Sequence, residues 1–554
     1  MLPQDRPEVE WHLEALDLRP VERWIGARRE DASPSLVPKP TVSLVDTYLD
    51  TPDWRLHRAG FSLRLRQNDG EARAEATLKA LDPPEEGLRT RREITEPLAK
   101  ADPTLLARAR GPVGERIRVL AARGPLEVLL EIRTTRRRYA LVEDDVEIGE
   151  LALDHTAIPV EGDDVPIVMQ RVEVESAGER NVNVDAFARA IRDACRLNPA
   201  GNSKFESGLL ARGLSPPDPI DLGPTDVDRT KTTGEIAFAS LRTQFAEVLA
   251  REPGARLGED PEEVHDVRVA IRRMRAALKL FERALPARGR WLRKELGWIA
   301  RSFGAVRDLD VQIEQTEEWL AEAADEEDRK AIEPVVRILE KRRRQARRRL
   351  IRDLDSRRYR RLVERTIEVL RRGPLPRSTA ARQLIVSVAP DMLAKPYRRV
   401  RREGDRLRPA SSPAEFHSLR IRCKRLRYAL EFLSPIAPKE SKAFVKSLVT
   451  VQDVLGEHQD AQVAMGHIRE LVAESGHGIG TQTVFALGRI AERYDRRAEE
   501  LRGKFPAAYR ELKGGAWKDV ERAMGRAREE RAGEEATRRV VRTAPARATS
   551  APGA

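Results

Sequence analysis

Residues 264–281 of this sequence recur, in altered form, as residues 416–433, an offset of 152 residues. The first copy reads VHDVRVAIRRMRAALKLF and the second reads FHSLRIRCKRLRYALEFL. Apolar residues occupy matching positions: Val264, Val267, Ile271, Met274, Leu278 and Phe281, and Phe416, Leu419, Cys423, Leu426, Leu430 and Leu433. Steps of three and four residues are typical of a helix whose apolar side packs against other helices.

A stripe of basic residues lies beside the apolar one in both copies. It starts one residue later in the sequence, about 100° further round the helix. Its members are His265, Arg268, Arg272, Arg275 and Lys279 in the first copy and His417, Arg420, Lys424 and Arg427 in the second. A cationic stripe next to a buried one lies at the rim of a helical bundle, where it can contact an anion.

A second motif repeats at the same offset. Gly304 and Asp308, within SFGAVRDLDV, correspond to Gly456 and Asp460, within VLGEHQDAQV. Two motifs that share one gap-free offset predict the duplication of a whole helical unit. Either motif alone would also fit a chance similarity between arginine-rich helices.

Length and composition limit the classes of protein that need consideration. A chain of 554 residues is long enough for about three domains. It contains no run of 18 apolar residues and no apolar signal segment at its start, so we expect neither a membrane span nor secretion. Cys195 and Cys423 are far apart and form no metal-ligand pattern. A cytoplasmic location is the prediction.

The positive charge is concentrated in the C-terminal part of the chain. Residues 1–211 contain 31 Lys/Arg and 38 Asp/Glu, a balance of −7, whereas the whole chain carries +12. The remainder therefore carries +19. A field of this kind favours an extended polyanion as the partner.

The N-terminal third shows the period of two that is typical of β-strands. Charged or polar residues recur two apart. They are Glu8, Glu10 and His12, Arg64 and Arg66, Glu75, Thr77 and Lys79, Arg89, Arg91 and Glu93, Arg136 and Arg138, and Glu173 and Glu175. Two alternatives fit this pattern: an ordinary sheet with one wet face, or a closed barrel with a charged interior. In the barrel, basic residues would bind phosphates and paired carboxylates would hold Mg²⁺ or Mn²⁺.

These segments resemble the CYTH family, the triphosphate tunnel metalloenzymes. The matching motifs are Glu8-Val9-Glu10-Trp11-His12, Arg64-Leu65-Arg66, Thr77-Leu78-Lys79, Arg91-Arg92-Glu93, Arg136 and Arg138, Asp154, Glu173-Val174-Glu175, Ser203-Lys204 and Gly208. The resemblance implies an eight-stranded antiparallel β-barrel tunnel with flanking helices. Members of the family bind a triphosphate-bearing substrate and a divalent metal, and include inorganic triphosphatases, thiamine triphosphatases and adenylyl cyclases.

The resemblance also implies roles for individual residues. The catalytic residues would be Glu8, Glu10, His12 and Glu93; the metal ligands Glu8, Glu10, Asp154, Glu173 and Glu175; and the substrate-binding residues Arg64, Arg66, Lys79, Arg91, Arg136, Arg138 and Lys204. His12 stands where the family has a lysine. A histidine is mostly neutral at pH 7, so this substitution bears on catalytic competence. We hypothesise that hydrolysis falls as the pH rises through the pKa of His12.

The chain beyond residue 212 is predicted to be helical. We expect a tunnel domain at 1–212, a Pro- and Gly-rich linker at 213–233, and an all-α domain at 234–512 built from two duplicated four-helix bundles, about 234–372 and 379–512. The composition of residues 514–554 predicts a disordered tail. The complete fold class is therefore α+β.

The duplicated helices resemble those of the CHAD domain, across roughly residues 232–512. That family binds inorganic polyphosphate in a basic channel and often follows a CYTH domain. The residues implied to bind polyphosphate are His265, Arg268, Arg272, Arg273, Arg275, Arg307, His417, Arg420, Lys424, Arg425, Arg427 and His458. The arginines at 342–344 and 347–349 fit a solvated face better, because they are not duplicated.

Three readings of function follow. In the first, the protein is a metal-dependent hydrolase of inorganic triphosphate or a related triphosphate compound, with a polyphosphate-binding helical domain. In the second, the tunnel is inactive and the protein binds or targets polyphosphate. The third is nucleic-acid binding through the basic half. It is disfavoured because the basic stripes lack the interleaved aromatic residues that stack on bases.

Overall fold

The computed structural model describes residues 5–29, 32–81, 87–121, 124–160, 165–323, 325–475 and 479–543, and within these the side chains of 5–8, 474, 475 and 535–543 lie outside the description. The chain divides into two compact units. One contains residues 1–219 and 253–259, and the other contains residues 220–252 and 260–554. None of the described helices combines the length and the hydropathy that a membrane span needs.

The first unit is built on a β-sheet that closes on itself. Its strands are β1 (Asp5–Ala15), β2 (Ser35–Asp50), β3 (Phe61–Asn68), β4 (Ala74–Ala80), β5 (Leu88–Leu98), β6 (Glu127–Glu143), β7 (Val146–Ile158), β8 (Ile167–Ser176) and the two-residue β9 (Asn198–Pro199). The order is β5-β4-β3-β2-β6-β7-β8-β1-β9, all neighbours are antiparallel, and β1 also pairs with β5. Strands β1–β8 therefore form the predicted eight-stranded antiparallel barrel, which confirms the closed alternative.

Six helices accompany the barrel. They are α1 (Arg19–Gly26), α2 (Arg55–Arg58), α3 (Pro103–Arg108), α4 (Pro112–Leu120), α5 (Val182–Cys195) and α6 (Lys204–Ala211). The apolar residues of the strands face outwards and pack beneath these helices in two cores. The core with α3 and α4 contains Leu63, Leu65, Leu78 and Ile94. The core with α1 and α5 contains Leu13, Leu151, Val172 and Val174. Because side chains alternate along a strand, the polar set faces the interior.

In the second unit, all described secondary structure is helical apart from one isolated bridge between Thr232 and Leu384. Its helices are α7 (Thr233–Leu257), α8 (Pro261–Leu280), α9 (Arg288–Ala321), α10 (Glu326–Leu354), α11 (Arg357–Arg372), α12 (Thr379–Arg382), α13 (Ile385–Gly404), α14 (Pro413–Leu433), α15 (Pro438–Ser475), α16 (Thr481–Leu512) and α17 (Ala516–Thr543). The duplicated helices are α8 and α14. Asp260 caps α8 through the backbone N–H of Glu262, and Ser412 and Glu415 form a capping box on α14.

The two repeats share a core. Trp319, Val335 and Leu339 of α9 and α10 pack with Leu471 and Leu487 of α15 and α16. Helices α8 and α14 also contact each other directly. The duplicated halves are thus one packed unit.

The structure differs from the prediction that residues 514–554 are disordered. Residues 516–543 form α17, which packs on α13 and α15, and residues 544–554 lie outside the described residues. The ring of Trp517 stacks on Tyr397 with centroids 3.8 Å apart, and Val520 and Met524 are buried one and two turns later. Three apolar residues at helical spacing are enough to dock a helix where a groove receives them, although the surrounding composition is that of a disordered tail.

Candidate functional site

The interior of the barrel contains a cavity of about 220 Å³. Its walls are almost entirely polar or charged. The lining residues are Glu10, His12, Tyr48, Ser62, Arg64, Arg66, Glu75, Lys79, Arg91, Glu93, Arg136, Glu173, Glu175, Ser203, Lys204 and Phe205. Eleven of the sequence-predicted tunnel residues are therefore brought together: Glu10, His12, Arg64, Arg66, Lys79, Arg91, Glu93, Arg136, Glu173, Glu175 and Lys204.

Two carboxylates and one imidazole form a compact cluster on adjacent strands. Glu10 and His12 lie on β1, and Glu173 lies opposite His12 on β8. One ligand atom from each lies within 4.8 Å of the others, and all three side chains are buried. The Nε2 atom of His12 is 2.9 Å from Glu10 Oε2 and 3.9 Å from Glu173 Oε1. Carboxylate oxygens suit Mg²⁺ and Mn²⁺, and imidazole suits transition metals, so this donor set fits a divalent cation.

Glu10 is also held by two cations from neighbouring strands. Its Oε1 atom accepts hydrogen bonds from Lys79 Nζ at 2.8 Å and from Arg91 Nη2 at 2.5 Å. Burial by itself would raise the pKa of Glu10. The charges of Lys79 and Arg91 and the hydrogen bond with His12 outweigh this and hold that pKa well below its usual value, so the carboxylate is ionised at neutral pH.

Glu173 has a matching pair of cations. Lys204 Nζ lies 2.8 Å from Glu173 Oε1, and Arg136 also bonds to Glu173. Burial would raise the pKa of Glu173, but Lys204 and Arg136 lower it well below the usual value. Both cations also contact Asp154, which is fully buried and accepts two hydrogen bonds from Arg136 at 2.8 and 2.7 Å.

His12 is neutral in this setting. Its burial lowers its pKa below the ordinary value, and the nearby Glu10 and Glu173 only partly offset that effect. An uncharged imidazole can act as a metal ligand, because the ligand form of histidine is the neutral ring.

A second acidic residue organises the arginines of β3. Asp46, which is fully buried on β2, receives a bidentate pair of hydrogen bonds from Arg66, both at 2.7 Å. Arg64 lies 3.9 Å from Asp46 and 3.8 Å from Glu93. Glu93 in turn is 3.3 Å from Lys79. Glu93 therefore orients two basic side chains, which is one of the roles that its resemblance to the family implied.

Glu175 differs from the other carboxylates in the cavity. Its side chain is exposed to the interior space, yet protein surrounds that space on most sides. This partial burial raises its pKa to about 7, the charge of Glu10 adds to the effect, and Lys79 opposes it. It lies opposite Glu10 in the β1–β8 pair.

Among the predicted tunnel residues whose side chains are described, Asp154 and Arg138 are not brought into the cavity lining. The side chain of Glu8 lies outside the described residues, so its metal and catalytic roles stay predictions. Asp154 lies behind the lining and bonds to cations; it is not part of the three-residue cluster. Arg138 is not among the lining residues, and its Nη1 atom is 4.0 Å from Glu150.

The sequence analysis missed the cavity residues Tyr48 and Phe205, and also Asp46, the buried partner of Arg66. Asp46 and Tyr48 alternate along β2, and the stretch VSLVDTYLD shows that alternation in the sequence. Phe205 stacks on Tyr48 with centroids 5.0 Å apart. Phe205 does not belong to an alternating strand, so the sequence pattern gives no sign that it lines the cavity. Its position follows from the docking of α6 against the barrel.

In the helical unit, cations from both repeats converge where α8 meets α14. Arg272 of α8 donates a hydrogen bond from Nε to the hydroxyl oxygen of Tyr428 on α14, at 2.8 Å. Burial, together with the nearby charges of Arg420 and Arg272, lowers the pKa of Lys424 to about 8. Asp460, 3.9 Å from Arg420, opposes this effect. These three cations lie close enough to repel one another. A bound anion would reduce that repulsion.

Glu431 forms ion pairs with two further arginines, one from each repeat. Its carboxylate is 2.9 Å from Arg273 of α8 and 3.2 Å from Arg427 of α14. Both guanidinium groups also lie over the ring of Tyr428, each 5.8 Å from its centroid. Arg273 and Arg427 are thus partly neutralised in this structure.

The glycines of the second repeated motif make room for the stripes. A Cβ atom on Gly304 would lie 3.1 Å from Arg268 Nη1, and one on Gly456 would lie 4.0 Å from Arg420 Nε. Arg268 also pairs with Asp308 at 3.1 Å, as Arg420 approaches Asp460. The aspartates orient arginines in both repeats.

The remaining predicted residues are placed less uniformly. Arg307 is 3.4 Å from Glu262, Arg275 is exposed and lies near Arg293 and Arg301, and Arg425 is exposed. These positions are compatible with a basic surface. Cations from the two repeats do not meet at these positions as they do around Arg272 and Lys424.

The predicted histidines separate into two groups. His265 is half-buried beside Glu262, and His417 is exposed with Nδ1 2.7 Å from Gln459 Oε1. His458 is only 1% exposed and packs on Phe416 with ring centroids 4.7 Å apart. The assignment of His458 to polyphosphate binding is corrected, because a core side chain cannot reach a surface ligand.

Comparison with known proteins gives two family matches. A CYTH domain matches residues 36–208 and a CHAD domain matches residues 239–469. A search of the curated proteins gives no match.

Among solved structures, the chain is similar to three proteins that illustrate both units. The CHAD domain from the plant Ricinus communis is 24% identical, with a TM-score of 0.44, over 54% of this chain and 96% of that one. PptA from Streptomyces chartreusis is 21% identical, with a TM-score of 0.42, over 50% and 100%. HpAC1 from Hippeastrum, described as having a dominant triphosphatase activity, is 18% identical, with a TM-score of 0.29, over 37% and 96%.

Proposed function

This chain carries a CYTH domain followed by a CHAD domain, and from that premise we propose a metal-dependent hydrolase of inorganic triphosphate or a related triphosphate-bearing compound. The helical unit binds polyphosphate in the same proposal. The observation that carries it is the cluster of Glu10, His12 and Glu173, surrounded in one cavity by basic side chains. A short chain of phosphates bound to a divalent cation has complementary charge.

The cluster is the place where the cation would bind. Glu10, His12 and Glu173 would hold Mg²⁺ or Mn²⁺, with Glu175 available on the same side of the cavity. A metal ion there supplies charge neutralisation for phosphate oxygens and a lowered pKa for water. The ionised states of Glu10 and Glu173 and the neutral state of His12 are the forms that bind metal.

The basic residues position the substrate. Lys79 and Arg91 now bond to Glu10, while Arg136 and Lys204 bond to Glu173 and Asp154. These contacts fix the cations near the cluster before a phosphate arrives. Preorganised positive charge is the main contribution that a protein makes to phosphoryl transfer, because the reaction needs little covalent chemistry from side chains.

The convergence of Arg272, Arg420 and Lys424 supports polyphosphate binding by the helical unit. Repeated phosphates suit cations supplied by two helices, whereas a single small anion would need only one such group. A cytoplasmic location at polyphosphate granules would follow from this binding and stays a prediction.

One observation favours a second candidate function. His12 stands where the family has a lysine, and burial keeps it uncharged. A tunnel that lacks this permanent charge could retain substrate binding without turnover. The alternative is therefore a catalytically inactive protein that binds or targets polyphosphate.

The test measures phosphate release from tripolyphosphate, thiamine triphosphate and ATP by the full-length protein with Mg²⁺ or Mn²⁺. We expect metal-dependent release from at least one of them, abolished by a chelator. The Glu8→Ala/Glu10→Ala variant serves as the inactive control. Binding of tripolyphosphate without release from any of the three would select the inactive alternative, and absence of both would overturn the proposal.

A further inference from the structure

The face of β6 that lines the cavity carries a further basic residue beyond Arg136. Along β6, Leu130 and Ile132 pack with Phe205 of α6, and Arg136 lines the cavity. Arg138 follows two residues later, and the β6–β7 register is continuous from Arg136 to Arg138. Two residues of a strand advance about 7 Å on the same face. The side of the strand that carries Arg136 therefore also carries Arg138, which lies further along β6 from α6.

Two neighbouring strands add charged groups at this level. Lys39 of β2 lies opposite Arg138, and Glu150 of β7 lies opposite the cavity residue Glu175. Lys39 Nζ is 3.0 Å from Glu150 and 2.7 Å from Glu147, and Arg138 is 4.0 Å from Glu150. The side chains of Arg138 and Lys39 are 30% and 27% exposed, against 13% for Arg136. This greater exposure fits a position nearer the mouth of the barrel.

We propose that Lys39 and Arg138 form an outer phosphate subsite, which the carboxylate of Glu150 occupies until a longer phosphate chain displaces it. This inference rests on the proposed function, since it names the substrate class of the same tunnel. The substrate would be a linear polyphosphate with at least one phosphate more than the cavity alone holds.

The contacts explain why the exchange is feasible. A carboxylate and a phosphate both accept charge-assisted hydrogen bonds from ammonium and guanidinium groups. When an added phosphate replaces Glu150, Lys39 and Arg138 exchange one anionic partner for another. Glu150 is 22% exposed, so it can turn towards water without being left buried and unpaired.

The outer subsite also accounts for the position of Arg138. The resemblance to the tunnel family groups Arg138 with Arg136, yet the two side chains lie at different depths here. A compound that fills the cavity with its phosphates would not contact Lys39.

The experiment compares tripolyphosphate with tetrapolyphosphate, so that the ligands differ by one phosphate. Calorimetric titration uses the full-length protein with Arg272→Ala and Arg420→Ala, which weaken binding at the helical unit. The measured quantity is the ratio of the affinities for the two ligands. We expect Lys39→Ala to lower the tetra-to-tri ratio about tenfold, the effect of losing one charge-assisted contact. Lys100→Ala, which removes an exposed lysine after β5, leaves the ratio unchanged.

A second variant tests the carboxylate. Glu150→Gln keeps the shape of the side chain and removes its charge, so it should raise the tetra-to-tri ratio about threefold. An equal loss of affinity for both ligands in Lys39→Ala would show general electrostatics and overturn the inference. An unchanged ratio in both variants would overturn it as well.

The failure of this inference is distinguishable from failure of the proposed function. Calorimetry reports binding whether or not the protein hydrolyses either ligand. Wild-type protein that binds tripolyphosphate without releasing phosphate would contradict only the hydrolase proposal. The ratio for Lys39→Ala would still decide the outer subsite.

Discussion

The barrel interior and the α8–α14 surface both present clusters of basic residues, but they balance that charge differently. In the barrel, Glu10 and Glu173 each hold two cations, and Asp46 and Asp154 lie behind the lining as further partners. On the helices, Arg272, Arg420 and Lys424 face one another with Asp460 at 3.9 Å from Arg420.

This difference indicates two modes of anion recognition. A closed and nearly balanced interior favours one arrangement of charges, so it can select a short phosphate chain with its metal. An open surface with excess positive charge binds by counterion release, which depends on salt and tolerates many chain lengths. Under the proposed function, the same residue types would serve selection of a ligand in the barrel and capture of a ligand on the helices.

The largest expected effect is on the stability of the helical unit. Trp517→Ala removes a ring that stacks on Tyr397 and contacts Phe444, with centroids 3.8 and 5.2 Å apart. We expect a loss of about 3–5 kcal/mol in the unfolding free energy of the helical unit. Denaturant unfolding followed by circular dichroism measures it. Phosphate release from tripolyphosphate at low temperature should stay at the wild-type level. A parallel loss would mean that phosphate release in the barrel depends on the stability of the helical unit.

Substitution within the barrel cluster should affect catalysis most. Glu10→Gln removes the charge that Lys79, Arg91 and the cation share, and we expect phosphate release to fall about a hundredfold. Steady-state kinetics with Mg²⁺ or Mn²⁺ measure it. Glu131→Gln, on an exposed part of β6, is the matched control. Equal rates in the two variants would remove Glu10 from the metal site.

The helical surface should respond to salt in a way that the barrel does not. Arg272→Ala/Arg420→Ala should weaken polyphosphate binding about tenfold at low salt and reduce the slope of log affinity against log salt by about two. Fluorescence anisotropy with a labelled polyphosphate measures both. Arg344→Ala, whose arginine pairs with Glu340 on the same helix, is the control for lost charge. An unchanged slope would mean that the two arginines contact no phosphate.

The smallest expected effect concerns pH. The pKa of Lys424 is lowered to about 8, so the lysine loses its charge as the pH rises through that value. A polyanion binds the charged form, and the affinity for polyphosphate should therefore fall about threefold between pH 7 and pH 9. Lys424→Arg, which stays charged, should remove this dependence. A wild-type affinity that is constant over this range would exclude Lys424 from the contact.

Several features could be predicted from local patterns. Alternation identified the charged faces of β1, β3, β5 and β8, and the 152-residue offset identified α8 and α14 as equivalent helices. Asp260 and Ser412 begin those helices as their spacing from Pro261 and Pro413 predicts. The same offset applied to α11 would have predicted a helix near the start of α17, which the composition of that segment concealed.

Other features depended on contacts between distant segments. His458 has the sequence context of a motif residue, but its burial against Phe416 is decided by the packing of α14 on α15. Arg136 and Arg138 are equivalent in the strand pattern, and only the folded barrel shows that Arg136 lines the cavity and Arg138 does not. Glu431 acquires its role because α8 brings Arg273 to it from the other repeat.

By itself, the sequence determined the alternating strands, the duplicated helices and the residue types that share each face, because periodicity is a property of neighbouring positions along the chain. The tertiary structure decided that the sheet closes through the pairing of β1 with β5, which carboxylate holds which cation and which histidine is buried. Those outcomes depend on distances and burial between segments far apart in sequence, and a pKa or an ion pair has no value until these are set.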